Sequence, residues 1–202
     1  MAKETARPDG RMLLLAAVSA SAFAAIATNV ALGRTRRFDE RLRETVLQLQ
    51  DGQADVASAI VTVITSPALS ILLTCAAAAL LARRQHSRRT WLPIAASPWL
   101  AMVAGSCFTA FLPQQYTPGV AQEQCEPCFP SGHTTGLTAE ALTLAFVLRR
   151  RGLLHDAAFA GLLALPLIAG ANRLYRDRHW ASDIAGAWAA GTCVAALLAS
   201  TV

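Results

Sequence analysis

The chain has 202 residues, of which 54% are hydrophobic and only 15% are charged. Soluble domains carry about a quarter charged residues, so this chain has too few charges to cover a surface that faces water. The net charge of +5 comes from arginines in short clusters between apolar blocks, which is typical of membrane topology and argues against a nucleic-acid partner. The length suits a single domain over residues 1–202.

Six apolar stretches have, or nearly have, the roughly 20 residues that a helix needs to cross the hydrocarbon of a bilayer. They lack the alternation of barrel strands, and only helices or closed barrels satisfy their backbone groups in lipid. We therefore predict an all-α polytopic membrane protein with six transmembrane helices in one bundle. The predicted spans are 12–33, 56–82, 91–112, 131–148, 154–172 and 180–201. Proline is expected to kink three of them, at Pro67, Pro98 and Pro166.

The first stretch follows three cationic residues, as the apolar segment of a signal peptide does, but it exceeds the usual length of roughly 7 to 15 residues. We interpret it as a retained first helix. The following segment, 38–50, places apolar residues at helical spacing among charged ones. This pattern predicts an amphipathic helix along the membrane surface, with a solvated connector as the alternative.

The distribution of lysine and arginine indicates the orientation. With a cytoplasmic N-terminus, ten of the 18 lie on the inner side and eight on the outer side, so the positive-inside rule favours this topology by a small margin. The group from Arg34 to Arg43 on the outer side is an exception to the rule. The topology predicts a protein of the inner cell membrane with its polar motifs at the outer face.

Cys125 and Cys128 form a C-x-x-C pair in a polar loop. No second pair completes a tetrahedral zinc site, so no metal site is expected. A local disulfide and two reduced thiols are both open interpretations.

The first polar motif is Pro130-Ser131-Gly132-His133, at the predicted start of a helix. Unpaired backbone N–H groups at a helix start, with Gly132 allowing close approach, form a site for an anion. His133 in the first turn could then give a proton to a departing oxygen. The alternative is an ordinary helix cap.

The second motif is Asn172-Arg173, followed after five residues by His179 and then by Asp183. His179 and Asp183 are four residues apart, which places them on the same face of a helix. A carboxylate there fixes the imidazole tautomer and would prime His179 to attack phosphorus. Arg173 offers a planar fork for phosphate oxygens. The alternative is a structural ion pair at a helix end.

The order Pro-Ser-Gly-His and then Arg-x5-His-x3-Asp resembles motifs two and three of the type 2 phosphatidic acid phosphatases, a family that also includes vanadate-dependent haloperoxidases. The resemblance implies a reaction without metal or cofactor, through a phosphohistidine. It implies that the catalytic residues are His179 as nucleophile, Asp183 orienting it, and His133 protonating the leaving group. It implies that the phosphate-binding residues are Arg173, Ser131 and Gly132.

Two departures from the family pattern bear on the site. Asn172 stands where the family usually has serine. The family's first motif, Lys-x6-Arg-Pro, is missing, because no lysine or arginine occurs between Thr90 and Leu148. We hypothesise that Arg176 or Arg178 replaces part of this charge, whereas the alternative is that both face lipid headgroups.

Glu140 is an ionisable residue in the middle of a predicted span, seven residues after His133. Such residues usually face a partner or a polar cavity. One interpretation is that Glu140 braces a cationic site residue or lines the substrate cleft. The other is a protonated, hydrogen-bonded glutamate with a structural role.

These observations predict a metal-independent integral membrane phosphatase that hydrolyses a lipid phosphate or diphosphate. The resemblance supplies candidate substrates: phosphatidic acid, phosphatidylglycerol phosphate, a polyprenyl phosphate or diphosphate, and a lipid A phosphate. The alternatives are a non-catalytic lipid-phosphate binder and a lipid phosphotransferase. A haloperoxidase is disfavoured by the six apolar spans. The sequence does not indicate an oligomeric state.

Overall fold

The computed structural model describes residues 8–111, 117–118 and 128–202, and their regular secondary structure is entirely helical. This confirms the all-α prediction. The helices in the described residues are α1 (Gly10–Ala31), α2 (Arg36–Leu47), α3 (Gly52–Ile64), α4 (Pro67–Arg83), α5 (Arg88–Phe111), α6 (Gly132–Arg150), α7 (Asp156–Tyr175) and α8 (Ala181–Ala199).

Among the described residues, α1, α7 and α8 are long and apolar enough to cross a membrane, and the bent pair α3 and α4 makes a fourth span if it is counted as one. The chain is therefore an integral membrane protein, and the prediction of six spans is confirmed only in part. Helix α6 is long enough to cross a membrane, but the buried polar residues on one of its faces lower its mean hydropathy. That face includes Thr134, Thr135, Thr138, Glu140 and Thr143.

The predicted span 56–82 consists of two helices, α3 and α4, which meet at an angle of 43°. Pro67 occupies the first turn of α4, and the Ser66 side chain caps that helix by accepting a hydrogen bond from the Leu69 N–H at 3.4 Å. A proline at this position has no N–H to continue the preceding helix. The predicted kink at Pro67 is therefore a complete break, whereas Pro98 and Pro166 lie inside α5 and α7.

Close packing of α6 against α8 forms the centre of the bundle, and α1 covers the other side of α8. Gly191 of α8 permits this approach, because a Cβ there would lie 2.5 Å from the Cβ of Thr138 and 2.8 Å from the carbonyl oxygen of Thr135. The N–H of Ser131 also donates to the carbonyl oxygen of Asp183 at 3.3 Å. The two helices therefore begin at the same end of the bundle, with both sequence motifs side by side.

Candidate active site

Residues of both motifs line one cavity of about 380 Å³ at the end of the bundle where α6 and α8 begin. The predicted site residues on its wall are His133, Arg173, Arg176, Arg178 and His179. The other lining residues are Thr62, Thr117 and Cys128, none of which the sequence analysis assigned to the phosphate site. The fold thus brings together two histidines from different helices and three arginines from the end of α7 and the loop after it.

His179 precedes α8, and its Nδ1 lies 3.3 Å from Oδ2 of Asp183 in the first turn of that helix. The same carboxylate oxygen accepts a hydrogen bond from the Trp180 N–H at 2.9 Å. Asp183 is fully buried, whereas the His179 side chain is 17% exposed. The predicted pair is therefore present, with a fixed carboxylate behind an imidazole that reaches the cavity. Since Nδ1 faces Asp183, Nε2 is the nitrogen available to a ligand.

His133, in the first turn of α6, contacts both Thr65 and Arg173. Its Nε2 lies 2.7 Å from the Thr65 carbonyl oxygen, and Nη2 of Arg173 lies 2.7 Å from each ring nitrogen. A carbonyl oxygen can only accept, so Nε2 carries a proton and Nδ1 accepts from the guanidinium. The ring is therefore held between the end of α3 and the last turn of α7.

Ser131 and Asn172 are buried and bonded within the fold. The Ser131 hydroxyl donates to Oγ1 of Thr134 at 3.1 Å, and it caps α6 by accepting from the Thr134 N–H at 3.5 Å. Asn172 donates to the Thr62 hydroxyl at 2.9 Å, which joins α7 to α3. Gly132 is exposed, and a Cβ there would meet nothing within 4 Å. The space beside the start of α6 is thus open.

Arg176 and Arg178 are exposed on the cavity rim, and the positive charges of both act on Arg173. Within residues 8–111, 117–118 and 128–202, the ion pairs formed by arginine do not involve these three. Three guanidinium groups that repel one another around one cavity form an electrostatic site for an anion. Residues 112–116 and 119–127, which belong to the stretch between Thr90 and Leu148 without lysine or arginine, lie outside the described residues.

A larger, mainly apolar cleft of about 720 Å³ lies between α4, α5 and α6 and meets the first cavity at His133. Gly132, Gly136 and Glu140 of α6 form part of its wall, together with residues such as Met102 of α5. The buried Glu140 accepts a hydrogen bond from Thr74 at 3.2 Å and also bonds to Ser70. Its described partners are thus hydroxyl groups of α4 rather than a cation.

Cys128 is buried beside His179 and Asp183, and it hydrogen-bonds to the Asp183 carboxylate. The sulfur, nitrogen and oxygen ligand atoms of the three residues lie within 4.8 Å of one another, a set that can hold a metal ion. The expectation that no metal takes part therefore remains a prediction to be tested. Cys125 lies outside the described residues, so the predicted alternatives for the C-x-x-C pair stay open.

The fold and the cavity define a helical integral membrane protein with a cationic site that contains two histidines. The family model of the PAP2 superfamily matches residues 107–202, a segment that includes both motifs. The resemblance to the type 2 phosphatidic acid phosphatases is thereby confirmed.

The fold is similar to that in a crystal structure of a transmembrane PAP2-type phosphatidylglycerolphosphate phosphatase from Bacillus subtilis. The two chains share 13% sequence identity with a TM-score of 0.75, over 91% of this chain and 93% of that one. At this identity the likeness shows the shared fold. A comparison with curated proteins found no match.

Proposed function

We propose that the protein is a metal-independent phosphatase that hydrolyses a lipid phosphate or diphosphate through a phosphohistidine on His179. The observation that carries the proposal is the convergence of His133, Arg173 and the His179–Asp183 pair on one cavity. A binding protein needs the cations alone. A nucleophile with a buried carboxylate behind it, opposite a second histidine, serves covalent catalysis.

In the proposed reaction, Arg173 holds the phosphate while Nε2 of His179 attacks phosphorus. A P–N bond forms, the bond from phosphorus to the leaving oxygen breaks, and His133 gives that oxygen a proton. Water then attacks the phosphohistidine, which breaks the P–N bond, releases phosphate and returns a proton to His133. Asp183 stabilises the positive imidazole of His179 during both steps. Arg176 and Arg178 supply part of the charge that the missing first motif would provide.

The lipid character of the substrate is supported by the apolar cleft between α4, α5 and α6. The cleft meets the polar cavity at His133, which is the residue proposed to protonate the leaving group. Apolar clefts with a few polar groups at one end are typical sites for amphipathic ligands. A phosphate in the cavity would thus place the leaving alcohol, with its chains, in the cleft. Phosphatidylglycerol phosphate, the substrate named for the Bacillus subtilis protein, is one member of this class.

We further propose a single-domain bundle over residues 1–202, in which the six predicted spans cross the inner membrane. The site then lies at the outer face, on the side assigned by the distribution of lysine and arginine. The buried polar face of α6 is compatible with a span because α4, α5, α7 and α8 surround it.

Phosphate release by the detergent-purified protein, measured with a panel of lipid phosphates in the presence of a chelator, tests the function. We expect release that persists with the chelator and disappears in His179→Ala. Release abolished by the chelator and restored by a metal would contradict metal independence. Binding of a lipid phosphate without turnover would instead indicate a non-catalytic binder, and transfer to an added alcohol would indicate a phosphotransferase.

A further inference from the structure

Helix α2, which belongs to neither motif, is joined to the loop that carries the nucleophile by a two-bond ion pair. Nε and Nη2 of Arg43 donate to the two carboxylate oxygens of Asp177 at 2.6 and 2.7 Å. Asp177 lies two residues before His179. The hydrogen bond to Asp177 raises the pKa of Arg43 above its ordinary value, so the guanidinium stays charged. Paired bonds of this kind fix orientation as well as distance.

Asp177 occupies a left-handed backbone position at the end of α7. Its φ is +53°, and the N–H of Arg178 donates to the Arg173 carbonyl at 3.1 Å, so α7 ends in a left-handed turn. Glycine is the usual residue at this position, with asparagine next. Asp177 is thus an acidic residue that lies in the sequence between Arg176 and Arg178, both of which line the cavity.

A second contact fixes α2 at the start of α8. Asp39, one turn before Arg43 on the same face of α2, is 1% exposed. Its carboxylate accepts hydrogen bonds from the N–H and the hydroxyl of Ser182 at 2.9 and 2.8 Å. Arg43 also lies 6.0 Å from the ring centroid of Trp180. The contacts of α2 thus lie on both sides of His179 in the sequence.

The charges of the loop give this geometry a consequence for ligand binding. Arg173, Arg176 and Arg178 repel one another, so a carboxylate released among them would be attracted to their centre. There it would neutralise the cations and compete with a phosphate for them. The bonds to Arg43 hold that carboxylate on α2 instead.

We propose that Arg43 is a positioning residue for the phosphate site. Asp39 supports this role because it anchors α2 to Ser182 at the start of α8. Arg43 keeps the Asp177 carboxylate away from the phosphate-binding arginines and holds the loop that carries His179. The inference rests on the proposed function, since it takes a phosphate group as the ligand of the cavity.

The test measures the affinity of the full chain for orthovanadate, a phosphate analogue, by titration calorimetry in detergent. Arg43→Ala should weaken binding by about tenfold, which corresponds to about 1.4 kcal/mol. Asp177→Asn removes the charge and keeps the tolerance for a left-handed backbone, so it should bind at least as tightly as the wild type. The double variant Arg43→Ala/Asp177→Asn should return to within about threefold of the wild type.

Arg36→Ala is the matched control, because it removes an exposed ion pair with Glu40 on the same helix. It should leave orthovanadate affinity unchanged. The inference would be overturned if the double variant, or Asp177→Asn alone, bound orthovanadate as weakly as Arg43→Ala does. The ion pair would then have only a structural role. If Arg43→Ala does not fold, Arg43→Lys takes its place: it keeps the charge without the fork, and Asp177→Asn should likewise restore its affinity. Because the readout is binding, a wild type that binds orthovanadate without releasing phosphate would contradict the proposed function alone.

Discussion

The Nη2 atom of Arg173 lies 2.7 Å from both ring nitrogens of His133, so the proposed phosphate ligand and the proposed proton donor contact each other directly. Nδ1 accepts from the guanidinium, which requires a neutral imidazole. A phosphate that draws Arg173 away would free Nδ1 and, through its negative charge, favour a protonated ring. In the proposed mechanism, substrate binding would thereby prepare His133 to donate a proton.

The proposed role of His133 as proton donor predicts that the effect of its loss depends on the leaving group. His133→Ala should reduce turnover of a lipid phosphate, whose alkoxide leaves poorly, by about a hundredfold or more. Turnover of p-nitrophenyl phosphate, whose phenolate needs no proton, should fall much less. The ratio of the two rates in the variant and the wild type is the measurement. Equal losses with both substrates would contradict a proton-donor role.

The buried carboxylate behind His179 predicts a specific effect on turnover. Asp183→Asn should lower kcat by about a hundredfold or more with a small change in KM, because the imidazole loses its orienting and stabilising partner. Steady-state kinetics on detergent-solubilised lipid phosphate provide the readout. Cys128→Ser, which changes another group beside Asp183, is the comparison for disturbed packing. A rise in KM alone would assign Asp183 to binding.

The cationic rim predicts that reversing one charge weakens substrate binding. Arg176→Glu should raise KM by about tenfold, equivalent to about 1.4 kcal/mol. Arg34→Glu, an exposed residue in the loop between α1 and α2, is the control for net charge. If Arg176→Glu and the control behaved alike, Arg176 would be assigned to lipid headgroups rather than to the site.

The apolar cleft predicts a separation between lipid and soluble substrates. A side chain at Gly136 would enter the cleft, because a Cβ there meets only Oε1 of Glu140, at 3.9 Å. Gly136→Leu should therefore raise KM for long-chain lipid phosphates and leave p-nitrophenyl phosphate hydrolysis nearly unchanged. Gly161→Leu, on an exposed and open part of α7, controls for leucine in place of glycine. Equal effects on both substrates would contradict the proposal that the cleft binds the lipid chains.

The hydrogen bonds of Glu140 to hydroxyl groups of α4 predict that substituting this residue lowers stability rather than catalytic activity. Glu140→Leu leaves the Thr74 hydroxyl without its acceptor and should cost about 1–3 kcal/mol, seen as a lower thermal unfolding midpoint in detergent. Glu140→Gln retains an acceptor and should stay close to the wild type in stability and activity. A stable Glu140→Gln variant without activity would restore the functional interpretation of this residue.

Short-range features of the site could be predicted from the sequence because neighbouring residues determine them. The His179–Asp183 contact was predicted from helical spacing, but His179 lies before α8, and Asp183 in the first turn reaches back to it and to the Trp180 N–H. The amphipathic pattern over 38–50 corresponds to α2. The Ser131 hydroxyl bonds to Thr134 of its own helix. The direction of this side chain could not be predicted from the spacing of residues in the sequence. The contact of Arg173 with His133 depends on the packing of α6 against α7.

Contacts between distant segments were missed for a related reason. Arg43 and Asp177 are 134 residues apart in the chain. The sequence indicates only that, in the predicted orientation, Arg43 belongs to a group of arginines that departs from the positive-inside rule. The ion pair with Asp177 gives Arg43 a structural role in the fold. The spacing of apolar residues likewise did not show the buried polar face of α6, whose threonines and Glu140 are turned towards neighbouring helices.

The break between α3 and α4 leaves a backbone carbonyl to orient the imidazole of the proposed proton donor. In an unbroken helix the Thr65 carbonyl would bond to the Leu69 N–H, but Ser66 accepts that bond through its side chain. The carbonyl is left to receive the Nε2–H of His133 at 2.7 Å. A change in tilt of α3 relative to α4 would therefore move the acceptor that orients the imidazole of His133.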